Sequence, residues 1–392
     1  MTTRTVPTSD IDLFSDEVLL DPYEPLRALR ETAAVVQIPA NDVWAITRYE
    51  PIRAAFLNYE TFSSNKVAFN DAMNQALSGT TLATDPPDHH QLRVALMENL
   101  TPRALRKIKD DTDAKADAIV GELVSSGAFD AIDGIARAVP LNVVADMIGV
   151  NRAIRDNMLR WGDAAFNVLG PMNQRTIESF PIAGELFGWA TNVKAEELAE
   201  GSMGRAIFAA AEAGKIPAES CGHIIHQYVA AGMDTTIASI GNVLWLLGEN
   251  PDQYEALRAD PSLIPAAFNE ALRMEPPALS FGRLVKHDIT IDDVTIPAGA
   301  QAALLLLTGN RDPRHYDDPD TFRIARNPVD NLAFGYGAHS CAGQGLARLQ
   351  ANATLEAFIR RVKRFTIGTP VRHINNSTRG LGSLPIVALD LA

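Results

Sequence analysis

The residues best placed for chemistry lie in a glycine-rich segment, residues 334–343, which reads FGYGAHSCAG. Its glycines allow the backbone to approach a large flat group closely. Cys341 comes just before a helical pattern, and the N–H groups and dipole at the start of a helix favour a thiolate over a thiol. A thiolate on such a loop suits either a metal ligand or a nucleophile. A buried structural cysteine beside an ordinary turn is equally compatible with this segment taken alone.

A second candidate lies inside the longest nearly apolar stretch, residues 228–248. Asp234 is followed by Thr235 and Thr236, and an acid beside an alcohol could relay protons. Gly232 and the threonine hydroxyls, which can bond to the carbonyl one turn back, favour a loosened, polar notch in the helix. The alternative is an aspartate that a distant arginine holds for structural reasons.

Two further patterns give weaker evidence of a functional site. Glu270 and Arg273 stand one helical turn apart, but such pairs are common on solvated helix faces. Cys221, His223 and His226 form a short Cys/His cluster, and the spacing lacks the fourth ligand of a zinc site. Helix packing or a place in a binding pocket is therefore the preferred interpretation of His226.

The elements that must position these residues are mostly helical. Strands are predicted in residues 34–45 and in residues 289–307, where the second region contains a turn at Asp292 and Asp293. The sequence therefore predicts a mainly α protein of the α+β class, with small sheets at its edge. Helix starts are predicted where a capping residue precedes a proline, at Asp21-Pro22, Thr101-Pro102, Asn250-Pro251 and Asp260-Pro261.

Composition sets limits on the class of protein. The 392 residues carry a formal net charge of −13, which argues against binding nucleic acid over a broad surface. Two cysteines are too few for a disulfide framework, so a reducing cytoplasm is expected. The first ten residues lack an apolar region, so neither a signal peptide nor an N-terminal membrane anchor is expected. Asp234 within the apolar stretch favours a core helix over a membrane span.

In combination, the acid–alcohol pair, the Glu-x-x-Arg pair and the glycine-rich loop resemble the cytochrome P450 family. Residues 334–343 fit the family pattern Phe-Gly-x-Gly-x-His-x-Cys-x-Gly at every fixed position. The resemblance covers nearly the whole chain, including residues 85–93, 310–313 and 379–385. It implies one domain over residues 1–392 with the family's fold, a triangular helical body with small β-sheets. Haem would lie between the long central helix and the cysteine loop.

The resemblance also implies roles for individual residues. Cys341 would be the thiolate ligand of the iron of haem b, and its electron donation favours O–O cleavage. Asp234 and Thr235 would be the catalytic pair that delivers protons during oxygen activation, and Glu270 and Arg273 would form a buried structural network under the loop. The residues expected to bind the cofactor are His89, Arg93, Arg283, Phe334, His339, Cys341 and Gly343. His89, Arg93, Arg283 and His339 are suited to the two haem propionates.

Electrons must come from a partner, because no flavin or nicotinamide domain fits in this chain. The resemblance implies a ferredoxin with its NAD(P)H-dependent reductase. A local basic surface can steer an acidic partner despite the net charge, although ordinary solvated helix faces are the alternative. The basic residues considered are Arg103, Arg106, Lys107 and Lys109, with Arg360, Arg361, Lys363 and Arg364.

Within the family, the chain most resembles bacterial members that oxidise para-substituted benzoates, notably para-methoxybenzoate O-demethylases. Residues 165–171 and 375–381 carry this likeness. Where those enzymes hold the carboxylate with Arg and Ser, this chain has Lys66, His226 and Gln227 available for an anion. Hydroxylation or O-demethylation of a methoxylated benzoate is expected, in aromatic catabolism, with a neutral methoxyphenol, terpenoid or other hydrophobic metabolite as the alternative. The predicted pocket residues are Phe166, Leu169, His226, Gln227, Val229, Ala231, Ala278 and Phe281.

Two functions of other classes stay open on the sequence alone. A hydrolase could use Cys341 as its nucleophile and His339 as its base. A non-catalytic haem protein that senses small ligands would have no need for Asp234 and Thr235. Neither binding to nucleic acid nor association with a membrane is expected for this chain.

Overall fold

A computed structural model describes residues 6–392, and within that range most of the chain is helical. A π-helical segment, Ile132–Arg137, leads directly into one of the helices. The architecture is the mainly α arrangement that the sequence predicts. The α-helices are α1 Asp16–Leu20, α2 Tyr23–Thr32, α3 Tyr49–Leu57, α4 Asp71–Ala76, α5 Asp88–Met97, α6 Pro102–Ser126, α7 Ala138–Ile148, α8 Arg152–Asn167, α9 Gln174–Asn192, α10 Met203–Glu212, α11 Ser220–Gly232, α12 Asp234–Glu249, α13 Pro251–Ala259, α14 Ile264–Met274, α15 Leu306–Asn310 and α16 Gln344–Arg361.

The strands form small sheets, one of five strands and others of two or three. They are β1 Val35–Ile38, β2 Val43–Ile46, β3 Phe62–Ser63, β4 Phe129–Asp130, β5 Ser280–Val285, β6 Ile289–Ile291, β7 Val294–Ile296, β8 Gln301–Leu305, β9 Val362–Ile367, β10 Val371–Ile374, β11 Arg379–Ser383 and β12 Pro385–Leu391. The two regions predicted as strands meet in the five-stranded sheet, whose order is β1-β2-β8-β5-β3. Trp44 of β2 lies opposite Ala302 of β8 in the parallel pair at its centre.

The predicted helix starts are confirmed in part. Thr101 caps α6, because its hydroxyl accepts from the Ala104 N–H at 3.3 Å. Asp260 instead caps a short 3-10 turn that leads into α14. Asp21 was expected to cap a helix and does not, since it lies at the end of α1 and its N–H donates to Glu17 O.

The apolar stretch 228–248 is not one continuous helix. α11 ends at Gly232, α12 begins at Asp234, and Met233 between them has φ −112° and ψ −65°. The Thr235 hydroxyl donates to the carbonyl of Ala231 at 3.0 Å, as expected for a loosened helical ladder. Most of α12 is buried, so this stretch is a core element. Within residues 6–392, no helix is both long enough and apolar enough to cross a membrane.

α6 and α16 pack closely along much of their length. A Cβ on Gly345, in the first turn of α16, would lie 2.7 Å from Leu105 Cδ1, so the start of α6 lies against the start of α16. At the other end, Arg361 ion-pairs with Asp117 of α6. This pair of helices carries the cysteine loop, which immediately precedes α16.

Candidate active site

The cysteine loop is built from two 3-10 turns, Leu332–Phe334 and Gly337–His339. Gly337 has φ +70°, and a Cβ there would lie 2.9 Å from Phe56 O, so both conformation and space require glycine. The Cys341 N–H donates to the Phe334 carbonyl at 2.7 Å, which closes the loop.

The Cys341 sulfur lies at the start of α16. Burial raises the pKa of its thiol, whereas the N–H groups of Gly343 and Gln344 and the charge of Arg93 act in the opposite direction. The protein alone therefore favours the thiol. A metal cation at the sulfur would make the thiolate the dominant form, because metal binding lowers the pKa of a thiol.

Two histidines beside this loop have unsatisfied ring nitrogens. His89 of α5 is fully buried, and neither of its ring nitrogens has a hydrogen-bond partner among residues 6–392. His339 Nε2 is also buried without a partner there, and the two ring centroids are 4.3 Å apart. Burial and nearby cations lower the pKa of His339 to about 3, so it is neutral at pH 7. A buried polar group without a partner costs about 1–3 kcal/mol, so these rings are suited to a bound acceptor.

Two arginines lie with these histidines. Arg93 donates to the Ser340 carbonyl, and Arg283 of β5 is buried, which lowers its pKa to about 10. The carboxylate of Asp85 is 3.9 Å from His339 Nε2 and also interacts with Arg283. Buried positive charge therefore exceeds the negative charge that Asp85 offers. A dianionic group fits this cluster, and the two propionates of haem have that chemistry.

The remaining predicted cofactor residues lie on the same loop. The Phe334 ring packs on the guanidinium of Arg348 of α16, 5.0 Å from the ring centroid. Arg348 in turn donates to Asn269 Oδ1 of α14 at 2.6 Å. Gly343 precedes α16, and a Cβ there would lie 3.9 Å from Cys341 Sγ, which is an ordinary contact. Phe334 therefore braces the loop on its helix, whereas Gly343 is not required by close packing within the protein.

The expected burial of the Glu270–Arg273 pair is confirmed. Both side chains are fully buried, and the guanidinium makes two parallel bonds to the carboxylate, at 2.8 and 2.9 Å. Arg326 donates to the same carboxylate at 3.0 Å. Arg273 also donates to the Asn310 carbonyl, and Asn310 Oδ1 accepts from the Leu332 N–H at the start of the cysteine loop. This network thus connects α14 to the loop.

Asp234 and Thr235 are not bonded to each other. The Asp234 carboxylate accepts from the Thr378 hydroxyl at 2.7 Å, whereas the Thr235 hydroxyl bonds to the Ala231 carbonyl. Burial raises the pKa of Asp234, the Thr378 bond lowers it, and the charge of Asp163 raises it further. The net shift is upward, so a proton is easier to hold on this carboxyl group near neutral pH than on an ordinary aspartate.

The acid faces a cavity of about 590 Å³ that the sequence did not indicate. Its walls come from the π-helical segment, α7, α8, α12 and the β10–β11 hairpin. Asp163 and His373 line it as an ion pair of 2.6 Å, together with Thr378. The polar run 375–378 was the available sign of this contact, but its position beside α12 is a property of the fold.

Three of the predicted pocket residues come together. Phe166, Leu169 and Phe281 belong to one apolar cluster, which also includes Val67 and Ala68. This cluster joins the end of α8, the segment that follows it, β5 and the segment after β3.

The other predicted apolar residues are placed differently. Ala278 is buried and pairs with Thr378 through a single β-bridge. Ala231 is exposed on the last turn of α11. The prediction for Val229 is wrong, because it is fully buried in the main core, where it cannot line a pocket.

The three residues considered for binding a substrate anion differ in their charge and in whether their polar atoms are already hydrogen-bonded. Gln227 accepts from the Thr81 hydroxyl and donates to the His223 carbonyl at 3.1 Å, so its amide is already engaged. Burial lowers the pKa of His226 to about 4, and its ring is therefore neutral at pH 7. Lys66 is half-buried, directly precedes Val67 of the apolar cluster, and has no acidic partner within the described chain.

The Cys/His cluster on α11 does not form a metal site. The Cys221 thiol is buried and faces the Ile207 carbonyl at 3.8 Å, while His226 packs against Phe187. Among residues 6–392, no group of three or more His, Cys, Asp or Glu side chains is placed to hold a metal ion.

Comparison with known proteins shows the relatives of this chain. The sequence model of the family described as "Cytochrome P450" matches residues 206–386. "Cytochrome p450 CYP199A2" of Rhodopseudomonas palustris is 36% identical over 97% of this chain and 94% of its own length. "Beta-dihydromenaquinone-9 omega-hydroxylase" of Mycobacterium tuberculosis is 29% identical over 96% of this chain and 78% of its own.

Solved structures agree with this result. The cytochrome P450 CREJ in complex with (4-ethylphenyl) dihydrogen phosphate has a TM-score of 0.86 at 25% identity, and covers 95% of this chain and 98% of its own. P450BioI in complex with an acyl carrier protein that carries hexadec-9Z-enoic acid has a TM-score of 0.87 at 25% identity. That match covers 96% of this chain and 100% of the other.

Proposed function

The chain belongs to the cytochrome P450 family and is a monooxygenase with cysteine-ligated haem, and we propose that it removes the methyl group from a small methoxylated aromatic acid. When bound, haem supplies dioxygen activation and transfer of one oxygen atom into a C–H bond. The methoxy carbon gains a hydroxyl group, and the hemiacetal breaks to a phenol and formaldehyde. One O₂, two electrons and two protons are consumed, and the second oxygen atom leaves as water.

The observation that carries this proposal is the apolar cluster of Phe166, Leu169 and Phe281. Two aromatic rings and a leucine favour a flat ring over a bulky, curved skeleton. A related fold supports this choice, since the structure of CREJ holds an aromatic phosphate with a para substituent.

Recognition of the acid depends mainly on Lys66. It borders the apolar cluster and has no acidic partner within the described residues, whereas Gln227 is already bonded and His226 is neutral. A carboxylate that enters a dry pocket without a cation or donor costs on the order of a few kcal/mol. Lys66 is the residue of this set that offers a full positive charge.

Proton delivery is assigned to α12. The raised pKa of Asp234 suits a group that takes up a proton more readily than an ordinary aspartate and passes it on. The Thr235 hydroxyl lies one residue further on and is held by the Ala231 carbonyl, which leaves its oxygen free to accept a proton donor. Asp234 is thus expected to supply protons and Thr235 to position them.

The substrate proposal is tested by binding to the haem-loaded enzyme. Titration with 4-methoxybenzoate and with neutral 4-methoxytoluene, followed by the low-spin to high-spin shift, gives a dissociation constant for each. The wild type is expected to bind the acid more tightly and to release formaldehyde from it. Lys66→Met should weaken binding of the acid about tenfold to a hundredfold, which corresponds to about 1.4–2.7 kcal/mol, and leave the neutral ether nearly unchanged.

Lys286→Met is the matched control, because Lys286 is exposed at the end of β5 and should not affect either ligand. Tighter binding of the ether than of the acid by the wild type would contradict the proposal. A neutral methoxyphenol is the second candidate, and the neutral His226 ring with the Thr81–Gln227 hydrogen bond favours it. That candidate predicts that Lys66→Met binds 4-methoxyphenol as the wild type does.

A ferredoxin is proposed as the electron donor, and the first basic group supports it. Arg103, Arg106 and Lys107 are exposed on the first turns of α6. The start of α6 lies against the start of α16, four residues after Cys341, through the Leu105–Gly345 contact. These charges therefore lie on the side of the molecule that carries the cysteine loop.

The second basic group lies elsewhere. Arg360 and Arg361 are at the end of α16, about 24 Å along the helix from its start. Both are ion-paired with Asp117. The two groups do not form one patch, and the second is partly neutralised.

The docking surface is tested with an acidic [2Fe–2S] ferredoxin at low ionic strength. Arg106→Glu with Lys107→Glu is expected to raise the KM for ferredoxin at least tenfold and to reduce its salt dependence. Lys363→Glu with Arg364→Glu changes charge equally at the far end of α16 and should have a small effect. Equal effects of the two double variants would show that net charge alone matters.

A further inference from the structure

The cavity beside Asp234 opens to solvent and contains a second acid–base pair. His373 Nε2 lies 2.6 Å from Asp163 Oδ1, and the His373 side chain is 40% exposed. Asp163 is fixed by Asn375, whose amide donates to the same oxygen at 2.8 Å. The imidazole therefore has one edge on a fixed carboxylate and another in contact with bulk water.

The path from this pair to Asp234 is short. Asp163 follows Gly162 of α8, and a Cβ on Gly162 would lie 3.8 Å from the Asp234 Cβ, so α8 passes directly beside the acid. Thr378 donates to Asp234 Oδ2 and holds the carboxylate at the cavity wall. A cavity of this size that opens to solvent and has charged groups in its wall admits water, which can connect groups that do not touch.

We propose that the His373–Asp163 pair is where protons from solvent enter the protein on their way to Asp234. The His373 imidazolium releases a proton to cavity water, and the Asp234 carboxylate takes one from that water. Neutral His373 then regains a proton from bulk solvent, and no electron is transferred. Asp163 acts as a positioning residue that holds the imidazole. The proposal rests on the monooxygenase function and on the role of Asp234, but not on the identity of the substrate.

The charges around the cavity are compatible with this direction of transfer. The hydrogen bond with Asp163 raises the pKa of His373, and the charge of Asp234 raises it further, so His373 keeps its proton to higher pH than an ordinary imidazole. Arg137 lowers the pKa of both His373 and Asp234. Asp133 of the π-helical segment is paired with Arg137, and Arg160 of α8 is paired with Glu185. His373 is thus the cavity group that combines a raised pKa with exposure to solvent.

The first test separates proton exchange from structure. His373→Gln retains an N–H donor for Asp163 but cannot exchange a proton, so a structural role would survive this change. In the haem-loaded enzyme with its reductase and ferredoxin, we expect His373→Gln to slow product formation about tenfold at pH 7. We also expect a larger solvent deuterium isotope effect. The wild-type rate should fall as pH rises through the raised pKa of His373, and His373→Gln should lack this fall. Arg160→Gln removes a charge from the same cavity and should behave as the wild type; if it reproduces the His373→Gln profile, the effect is electrostatic and the proposal fails.

The second test needs neither substrate nor turnover. In the reduced, carbon monoxide-bound enzyme, which is diamagnetic, NMR titration of labelled histidine follows His373, assigned as the signal missing in His373→Gln. Asp234→Asn should lower the pKa of His373, because a carboxylate that raises it is removed, and Asp163→Asn should lower it more. An unchanged His373 titration in Asp234→Asn would overturn the proposal, whatever the substrate proves to be. Failure with methoxybenzoates alone would instead refute the proposed substrate.

Discussion

Replacement of Glu270 by glutamine perturbs the buried network that supports the cysteine loop. The carboxylate accepts from Arg273 at 2.8 and 2.9 Å, from the Arg323 N–H at 3.1 Å and from Arg326 at 3.0 Å. Glutamine has the same size, but it has one acceptor oxygen and presents an NH₂ group to a guanidinium. Glu270→Gln therefore leaves the fully buried charge of Arg273 without a counter-ion.

The size of the effect follows from this burial. Removal of one partner of a buried ion pair typically costs about 3–5 kcal/mol, because the other charge stays in the interior. For 392 residues, the entropy of unfolding is about 0.8 kcal/mol/K, so the melting temperature should fall by about 4–6 °C. Total stability is typically about 5–15 kcal/mol, so the variant should still fold at 25 °C.

Differential scanning calorimetry of the haem-loaded protein measures this change, and the reduced carbon monoxide spectrum at 25 °C reports whether the cysteine ligand is retained. Glu255→Gln, on the exposed face of α13, is the matched control and should change stability by less than about 0.5 kcal/mol. A melting temperature for Glu270→Gln no lower than that of the control would refute the reasoning. It would mean that the hydrogen bonds from Arg273 to the backbone carbonyls of Asn310, Pro319 and Thr321 suffice without the carboxylate.

Three other predictions concern the site. Cys341→His should still bind haem but move the reduced carbon monoxide band to the blue and abolish oxygenation. Cys221→Ala should leave the spectrum and the oxygenation activity intact. An unchanged spectrum in Cys341→His would exclude Cys341 as the ligand. Thr235→Ala should still consume reducing equivalents but release more hydrogen peroxide, measured per NADH oxidised, and wild-type coupling would contradict its role. The bond to Asp163 stabilises the His373 imidazolium, so the wild type should be more stable than His373→Gln below about pH 6.5. This difference in stability should disappear as pH rises through the raised pKa of His373. Urea midpoints at pH 5.5 and pH 9 measure this difference, and an equal advantage at both values would contradict it.

Features that depend on local contacts could be predicted from the sequence. Thr101 caps α6 because the cap is made within four residues of the chain. Asp21 does not cap a helix although its dipeptide looks the same, because α1 ends just before it and only two residues, Asp21 and Pro22, separate the two helices. The strands β9, β10 and β12 were missed because most of their residues are exposed or half-buried. The strand β11 is mostly buried, but it is short and contains two glycines, which are depleted in strands.

The candidate site likewise contains some features that a local sequence pattern predicts and others that depend on contacts between distant parts of the chain. Cys341 and its loop occupy ten consecutive residues, so their pattern is visible in the sequence. The side chain of Asp234 is directed by Thr378, which is 144 residues away in the chain. The pairing of His373 with Asp163 spans 210 residues. Such contacts are set by the packing of the β10–β11 hairpin on α8 and α12, and no local sequence pattern specifies this packing.

The interruption at Met233 has a consequence for which substitutions can be tolerated. α11 packs mainly against α7, α8, α9 and α10, whereas α12 packs against α14, α16 and β11. A continuous helix would transmit a tilt of one half to the other, but a joint without regular helical geometry absorbs it. Substitutions that shift α11 against α9 and α10 can therefore be tolerated while α12 keeps its geometry. The break thus separates changes in the packing of α11 from the geometry of α12 and of the elements packed on it.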